Sequence, residues 1–214
     1  MSSYILSLVI LTSSALATNV GLTGFVKPIK KVVKQSVTYD ELHDEALFNC
    51  PFSKPSAESE TIINTLIDVE KKFKLPPSLR GMLLSAACHE SGFNPDARGD
   101  HKFSKNKKAM AIGLFQMWPW WEKHYKIDRA DPIQAASAYL SHVKSKLNKV
   151  KNMCRLRTPE RTWVVAWATP IRAPKDGGRY KEKPKFYRIL KRWHTSIKLA
   201  REVREGCEDQ VCGC

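Results

Sequence analysis

LSAACHESGFNPDA, residues 84–97, joins an apolar run to a polar break. Leu79, Met82, Leu83, Leu84, Ala86, Ala87 and Cys88 cover most of a helical circumference, which predicts a core helix over about 79–90. Gly92 and Pro95 end it. His89 and Glu90 fall in its last turn. There the helix macrodipole disfavours a negative charge, and burial disfavours it further. A carboxyl kept protonated in this way suits a general acid near neutral pH. A solvated glutamate at a helix end fits the same residues, so this context alone establishes no activity. His89 reads as a structural histidine rather than a catalyst.

Outward from this helix the pattern stays helical. Ile62, Ile63, Leu66, Ile67, Val69 and Phe73 form one apolar side of a helix over about 59–74, with Glu70, Lys71 and Lys72 outward. Pro76-Pro77 breaks it. Asp131-Pro132 starts another, with Asp131 as N-cap and Ala135, Ala136, Tyr139, Leu140, Val143 and Leu147 inward. Thr158-Pro159 repeats that start signal before TWVVAW, and Pro184 opens a helix through Phe186, Tyr187, Leu190, Trp193 and Ile197. Strand-like alternation is scarce. The expectation is a mainly α domain over 58–198, preceded by an irregular basic extension, 18–57, and followed by a cysteine-rich tail, 199–214.

The chain has 214 residues, 43% of them hydrophobic, enough for one domain with a true core. Its first residues, MSSYILSLVILTSSALATNV, run from an apolar segment into Ala15-Leu16-Ala17, the small-x-small pattern of a secretory cleavage site. Residues 1–17 therefore read as a signal peptide, although no Lys or Arg precedes the run. No later stretch reaches the ~18 apolar residues of a membrane span. Six cysteines, an even number, fit disulfides in an oxidising compartment, with 15 pairings open. Cys212-Gly213-Cys214 lacks the second close pair of a zinc site, so no metal or other cofactor is expected. The predicted location is the periplasm or the outside of the cell, and the predicted state is a monomer.

Thirty-six Lys and Arg against 21 Asp and Glu give a formal charge of +15, which favours polyanionic partners. Acidic cell-wall polymers and nucleic acid both qualify. RYKEKPKFYRILKRW, residues 179–193, interleaves bases with aromatics as a nucleic-acid segment does, yet it also fits an amphipathic helix with a solvated basic side. Zinc-finger spacing and RRM-like strand motifs are absent, so nucleic acid is not expected as a partner.

AMAIGLFQMWPWW, residues 109–121, supplies a second candidate segment. Gly113 permits close backbone approach, and Gln116 carries hydrogen-bond donors and an acceptor. Met117, Trp118, Trp120 and Trp121 offer apolar surface that suits either a core or the aromatic wall of a sugar-binding cleft.

Taken in order, the two segments resemble the soluble lytic transglycosylase and goose-type lysozyme superfamily. Glu90-Ser91-Gly92-Phe93-Asn94-Pro95-Asp96-Ala97 matches its Glu-Ser-x-Phe-Asn-Pro-x-Ala motif, and Gly113-Leu114-Phe115-Gln116 matches its Gly-Leu-Met-Gln element. Three features depart from the pattern. Gly113 lies 23 residues after Glu90 where members have about 15, the surplus falling within GDHKFSKNKK, residues 99–108. The family's Ala-Tyr-Asn-Ala-Gly is replaced by Ala166-Trp167-Ala168-Thr169-Pro170. A later family tyrosine finds its best match in Tyr187.

The resemblance implies a lysozyme-like fold and a substrate, the glycan strand of peptidoglycan, cut between N-acetylmuramic acid and N-acetylglucosamine. It assigns catalysis to Glu90 and substrate contacts to Ser91, Gln116, Met117, Trp118, Trp167 and Tyr187. It implies a 1,6-anhydromuramyl product, with lysozyme-type hydrolysis or simple glycan binding as alternatives.

Overall fold

Local signals set most helix boundaries. The computed structural model describes residues 35–153, 155–168 and 185–209. They all belong to the unit Gln35–Cys214; residues 1–34 lie outside the described residues. The predicted signal peptide, the lysines of 18–34, and Cys154, Cys212 and Cys214 therefore fall outside them too.

Helix α1, Tyr39–Asn49, is opened by a capping box in which Thr38 and Glu41 satisfy each other's backbone N–H groups. Helix α2, Ala57–Lys72, starts at Ser56, whose hydroxyl accepts from the Ser59 amide at 3.1 Å. A 3-10 turn, Pro77–Leu79, leads into α3, Met82–Ser91. Two short antiparallel strands follow, β1, Arg98–Gly99, and β2, Ala111–Ile112, pairing Arg98 with Ile112 and Gly99 with Ala111. Helix α4 is Pro119–Tyr125 and α5 is Pro132–Met153. Asp131 caps α5 as expected, its Oδ1 accepting from the amides of Ile133 and Gln134. Helices α6, Pro159–Ala168, and α7, Lys185–Asp209, complete the described part.

The core helix is α3. Met82 to Cys88 are all buried in it, and α1, α2 and α7 pack around it. Helix α5 in turn lies against α2 and α6. The mainly α, lysozyme-like expectation holds for this body.

Three expectations about its margins do not. Residues 35–57 are no irregular extension: Val37, Leu42, Ala46 and Cys50 belong to the core, and Cys50 is disulfide-bonded to Cys88 in α3. Only two α1 positions, Leu42 and Ala46, are fully buried, too sparse a stripe to register as periodicity. Residue 199 begins no separate tail, because α7 runs unbroken from Lys185 to Asp209. It is anchored by Trp193 and by Arg201, which pairs with Glu41 at 2.6 Å. That hydrogen-bonded guanidinium holds the Glu41 carboxyl down at about 2. Glu70 does not face outward. It is 1% exposed, because its carboxylate finds backbone donors inside the fold.

Candidate active site

Helix α3 carries a carboxylate at each end. At the start, Glu70 from α2 accepts from the amides of Gly81, at 2.5 Å, and Leu83, at 2.9 Å. Gly81, the N-cap residue, has no side chain to do this, so Glu70 caps α3 from a neighbouring helix. The Tyr39 hydroxyl also hydrogen-bonds to it. Desolvation outweighs these contacts and pushes the Glu70 carboxyl up to about 7.

At the other end stands Glu90, one third exposed at the side chain. The expected helix-end position is met, and full burial is not. His89 Nδ1 lies 3.1 Å from Glu90 Oε1. The His89 ring sits edge-on to Phe52 at 5.8 Å and to Phe186 at 6.1 Å. Glu90 is thus backed by a histidine that two aromatic rings hold in place. Ser91, the next residue, turns its hydroxyl to the Ala87 carbonyl at 3.1 Å.

Gly92 explains how Phe52 reaches this end. It ends α3 at φ +61°, and a Cβ there would stand 2.1 Å from the Phe52 carbonyl oxygen. The 50–88 disulfide fixes the same approach two residues before Glu90. Phe52 itself is 59% exposed.

The second motif is folded by its own glycine and by one buried arginine. Gly113, at φ +75°, lets the Arg129 carbonyl come within 2.3 Å of where a Cβ would be. The Arg129 guanidinium donates to the carbonyls of Met110, at 2.8 Å, and Met117, at 2.7 Å, and pairs with Glu122 at 2.9 Å. Gln116 takes a left-handed backbone, φ +46°, and its Nε2 donates to the Gly113 carbonyl at 3.0 Å. Its Oε1 occupies the space beside Gly99.

The aromatic and thioether candidates part company. Met117 is 1% exposed and packs in the core, so it offers no surface to a substrate. Trp167 is 5% exposed: its indole donates to the Tyr139 hydroxyl at 2.8 Å and its ring packs on Phe186 at 4.5 Å. It supports the wall behind His89 rather than presenting a sugar-stacking face. Burial, the first cause, and the charge of Glu90 push the Tyr139 hydroxyl up, which places Tyr139 in the field of Glu90. Tyr187, half-buried on α7, lies edge-on to Trp167 at 6.3 Å. Trp121 is buried, Trp120 stacks on His124 at 4.6 Å, and Trp118 is 39% exposed with its indole donating to Asp100 at 2.9 Å.

Phe52, His89, Phe186 and Tyr139 are thus the site neighbours that the motifs do not reveal. No helix among the described residues is long and apolar enough to cross a membrane.

A helical body with one accessible glutamate closing its central helix, and a glutamine-bearing turn after a short hairpin, defines a lysozyme-like glycan-cleaving enzyme. The Transglycosylase SLT domain family matches residues 65–168, from within α2 to the end of α6. Residues 65–168 therefore form a transglycosylase domain of this lysozyme-like superfamily, and the activity is that of a lytic transglycosylase on peptidoglycan. No curated protein and no solved structure matches it. The matched span holds both motifs but stops short of Cys50 and Phe52 on one side and Phe186 and Tyr187 on the other.

Proposed function

We propose that Glu90 performs both proton transfers in cleavage of the β-1,4 bond from N-acetylmuramic acid to N-acetylglucosamine. The observation that carries this reading is its place: exposed at the end of the core helix, with His89 at 3.1 Å. Protonated Glu90 donates to the bridging oxygen as the C1–O bond breaks. The substrate's acetamido oxygen covers the cation-like C1. The Glu90 carboxylate then takes the proton of the C6 hydroxyl, whose oxygen bonds to C1 and closes the 1,6-anhydro ring. No water is consumed, and the glutamate returns to its protonated form. His89 is a positioning residue that sets the carboxylate's rotamer.

Gln116 and Trp118 are the substrate contacts best supported by exposure and geometry, with Ser91 and Tyr187 at the margin. Met117 and Trp167 act only through packing. The basic charge holds the enzyme near acidic wall polymers, and the protein acts as an exported monomer, in the periplasm or secreted. The Cys50–Cys88 disulfide supports that compartment. Mass spectrometry of products from purified peptidoglycan tests the chemistry. Anhydromuramyl ends are expected, and reducing ends alone would replace this reading with lysozyme-type hydrolysis.

A further inference from the structure

The loop between β1 and β2 has a construction that the reaction at Glu90 does not require. It holds the residues that lengthen the spacing between the two motifs. Asp100 enters it in a left-handed conformation, φ +56°, and its Oδ2 accepts from the Trp118 indole at 2.9 Å. A 3-10 turn, His101–Phe103, then places the Phe103 ring 5.5 Å from Trp118, tilted by 46°. Phe103 is 57% exposed. Two large rings therefore lie side by side, Trp118 held by a specific hydrogen bond and Phe103 beside it, and both remain exposed to water. Aromatic side chains of this size usually bury their faces, and a fixed, solvated pair offers a ready surface for the apolar face of a sugar ring.

Charge adds a second, independent feature. Lys102, Lys105, Lys107 and Lys108 are all exposed on this loop, and the Lys102 ammonium lies 5.0 Å from the Phe103 ring centre. The one acidic residue of 99–108, Asp100, is engaged by the indole. His101 is spent internally, its Nδ1 meeting the Lys107 carbonyl at 3.0 Å. The surface therefore pairs an aromatic face with uncompensated cations.

The loop is continuous with the site. Its root, Gly99, lies against Gln116, where a Cβ would stand 2.4 Å from Oε1, and the Met110 amide returns to the Gly99 carbonyl at 3.1 Å. Gln116 is thus bracketed by the loop's root and by Trp118.

We propose that this loop, through Phe103, Trp118 and the four lysines, forms an added subsite for a sugar of the glycan strand that carries an acidic peptide stem. The ring stacks on the aromatic pair, and stem carboxylates meet the lysines. The inference rests on glycan strands being the substrate, and it adds a preference for stem-bearing over bare strands.

Binding tests it separately from cleavage. Full-length E90Q is titrated calorimetrically with glycan chains that keep their stems and with the same chains stripped of stems by an amidase. Stem-bearing chains are expected to bind several-fold more tightly at low salt, with the gap closing as ionic strength rises. Phe103→Ala added to E90Q weakens both ligands about threefold to tenfold. Replacing the four lysines by serine abolishes only the preference for stems. Unchanged affinities in the Phe103 variant, or a stem preference that survives loss of the lysines, would overturn the subsite. So would a lysine-dependent gain shown by an anionic wall polyphosphate and not by stems. Cleavage by the wild-type protein against E90Q at saturating substrate reports on Glu90 whatever the affinities, so failure of the subsite leaves that reading standing.

Discussion

The two ends of α3 hold glutamates in opposite circumstances. Glu70, at the start, is fully buried, accepts two backbone N–H groups and a tyrosine hydroxyl, and has its carboxyl pushed up to about 7. Glu90, at the close, keeps a third of its side chain in water, beside His89. The first completes the helix that carries the second. A strongly perturbed carboxyl is a common sign of catalysis, yet here it marks the structural glutamate. The two differ in access: Glu90 is open to solvent at the end of α3 and Glu70 is sealed inside, and it is on this ground that we propose Glu90 as the acid.

Exchanging these two residues breaks the comparison most sharply. Glu90→Gln is expected to lower glycan cleavage by about 10²–10⁴-fold with an unchanged melting curve. Retained turnover in a dye-release assay would remove Glu90 from the mechanism. Next in size is the disulfide that fixes Phe52 beside the closing end. Replacing Cys50 and Cys88 by serine is expected to cost about 2–4 kcal/mol in denaturant unfolding. Activity should fall even at temperatures where the variant is folded, since Phe52 and His89 lose their register; full activity there would argue that Phe52 is idle.

Glu70→Ala should reverse the Glu90 pattern. It strands two buried amides at about 1–3 kcal/mol each and lowers stability. Turnover per folded molecule should stay within a few-fold. A selective loss of turnover would mean that the two ends are coupled. His89→Ala is expected to be milder, about fivefold in kcat, from one hydrogen bond of ~1 kcal/mol. An unchanged kcat would remove His89 as a positioning residue.

The gentlest test is the pH dependence of stability. Glu70 titrates near 7 folded and near 4.5 as a free group, so the folded state binds more protons between those values. Its contribution is complete below about 4.5, falls as pH rises through 7, and is then flat. Glu41 has the opposite sign: with its carboxyl held at about 2, its contribution is present above 4.5 and lost on acidification toward 2. Urea midpoints from pH 3 to 8 should show both slopes, and Glu70→Gln should flatten only the upper one.

The legible and illegible parts of this molecule divide by range. Asp131 and Thr158 announce α5 and α6 because a cap acts within three residues of itself. Glu90 stands out as the candidate acid because two motifs lie in order along the chain. Met117 and Trp167 read as substrate contacts in sequence because their side-chain chemistry suits a wall and a core equally; only packing chooses, and it buries both. Glu70 looks outward in sequence because the donors its carboxylate meets, the amides of Gly81 and Leu83, lie 11 and 13 residues away across a turn.

By itself, then, the sequence determined the helical class, the breaks between helices, and the glutamate at the end of the apolar helix, all through interactions among near neighbours. The tertiary structure decided which carboxylate is reachable and which aromatic rings face water. It also decided that Phe52, 38 residues before Glu90, stands behind its histidine. Those are matters of long-range burial and close approach, and they emerge only when the helices pack.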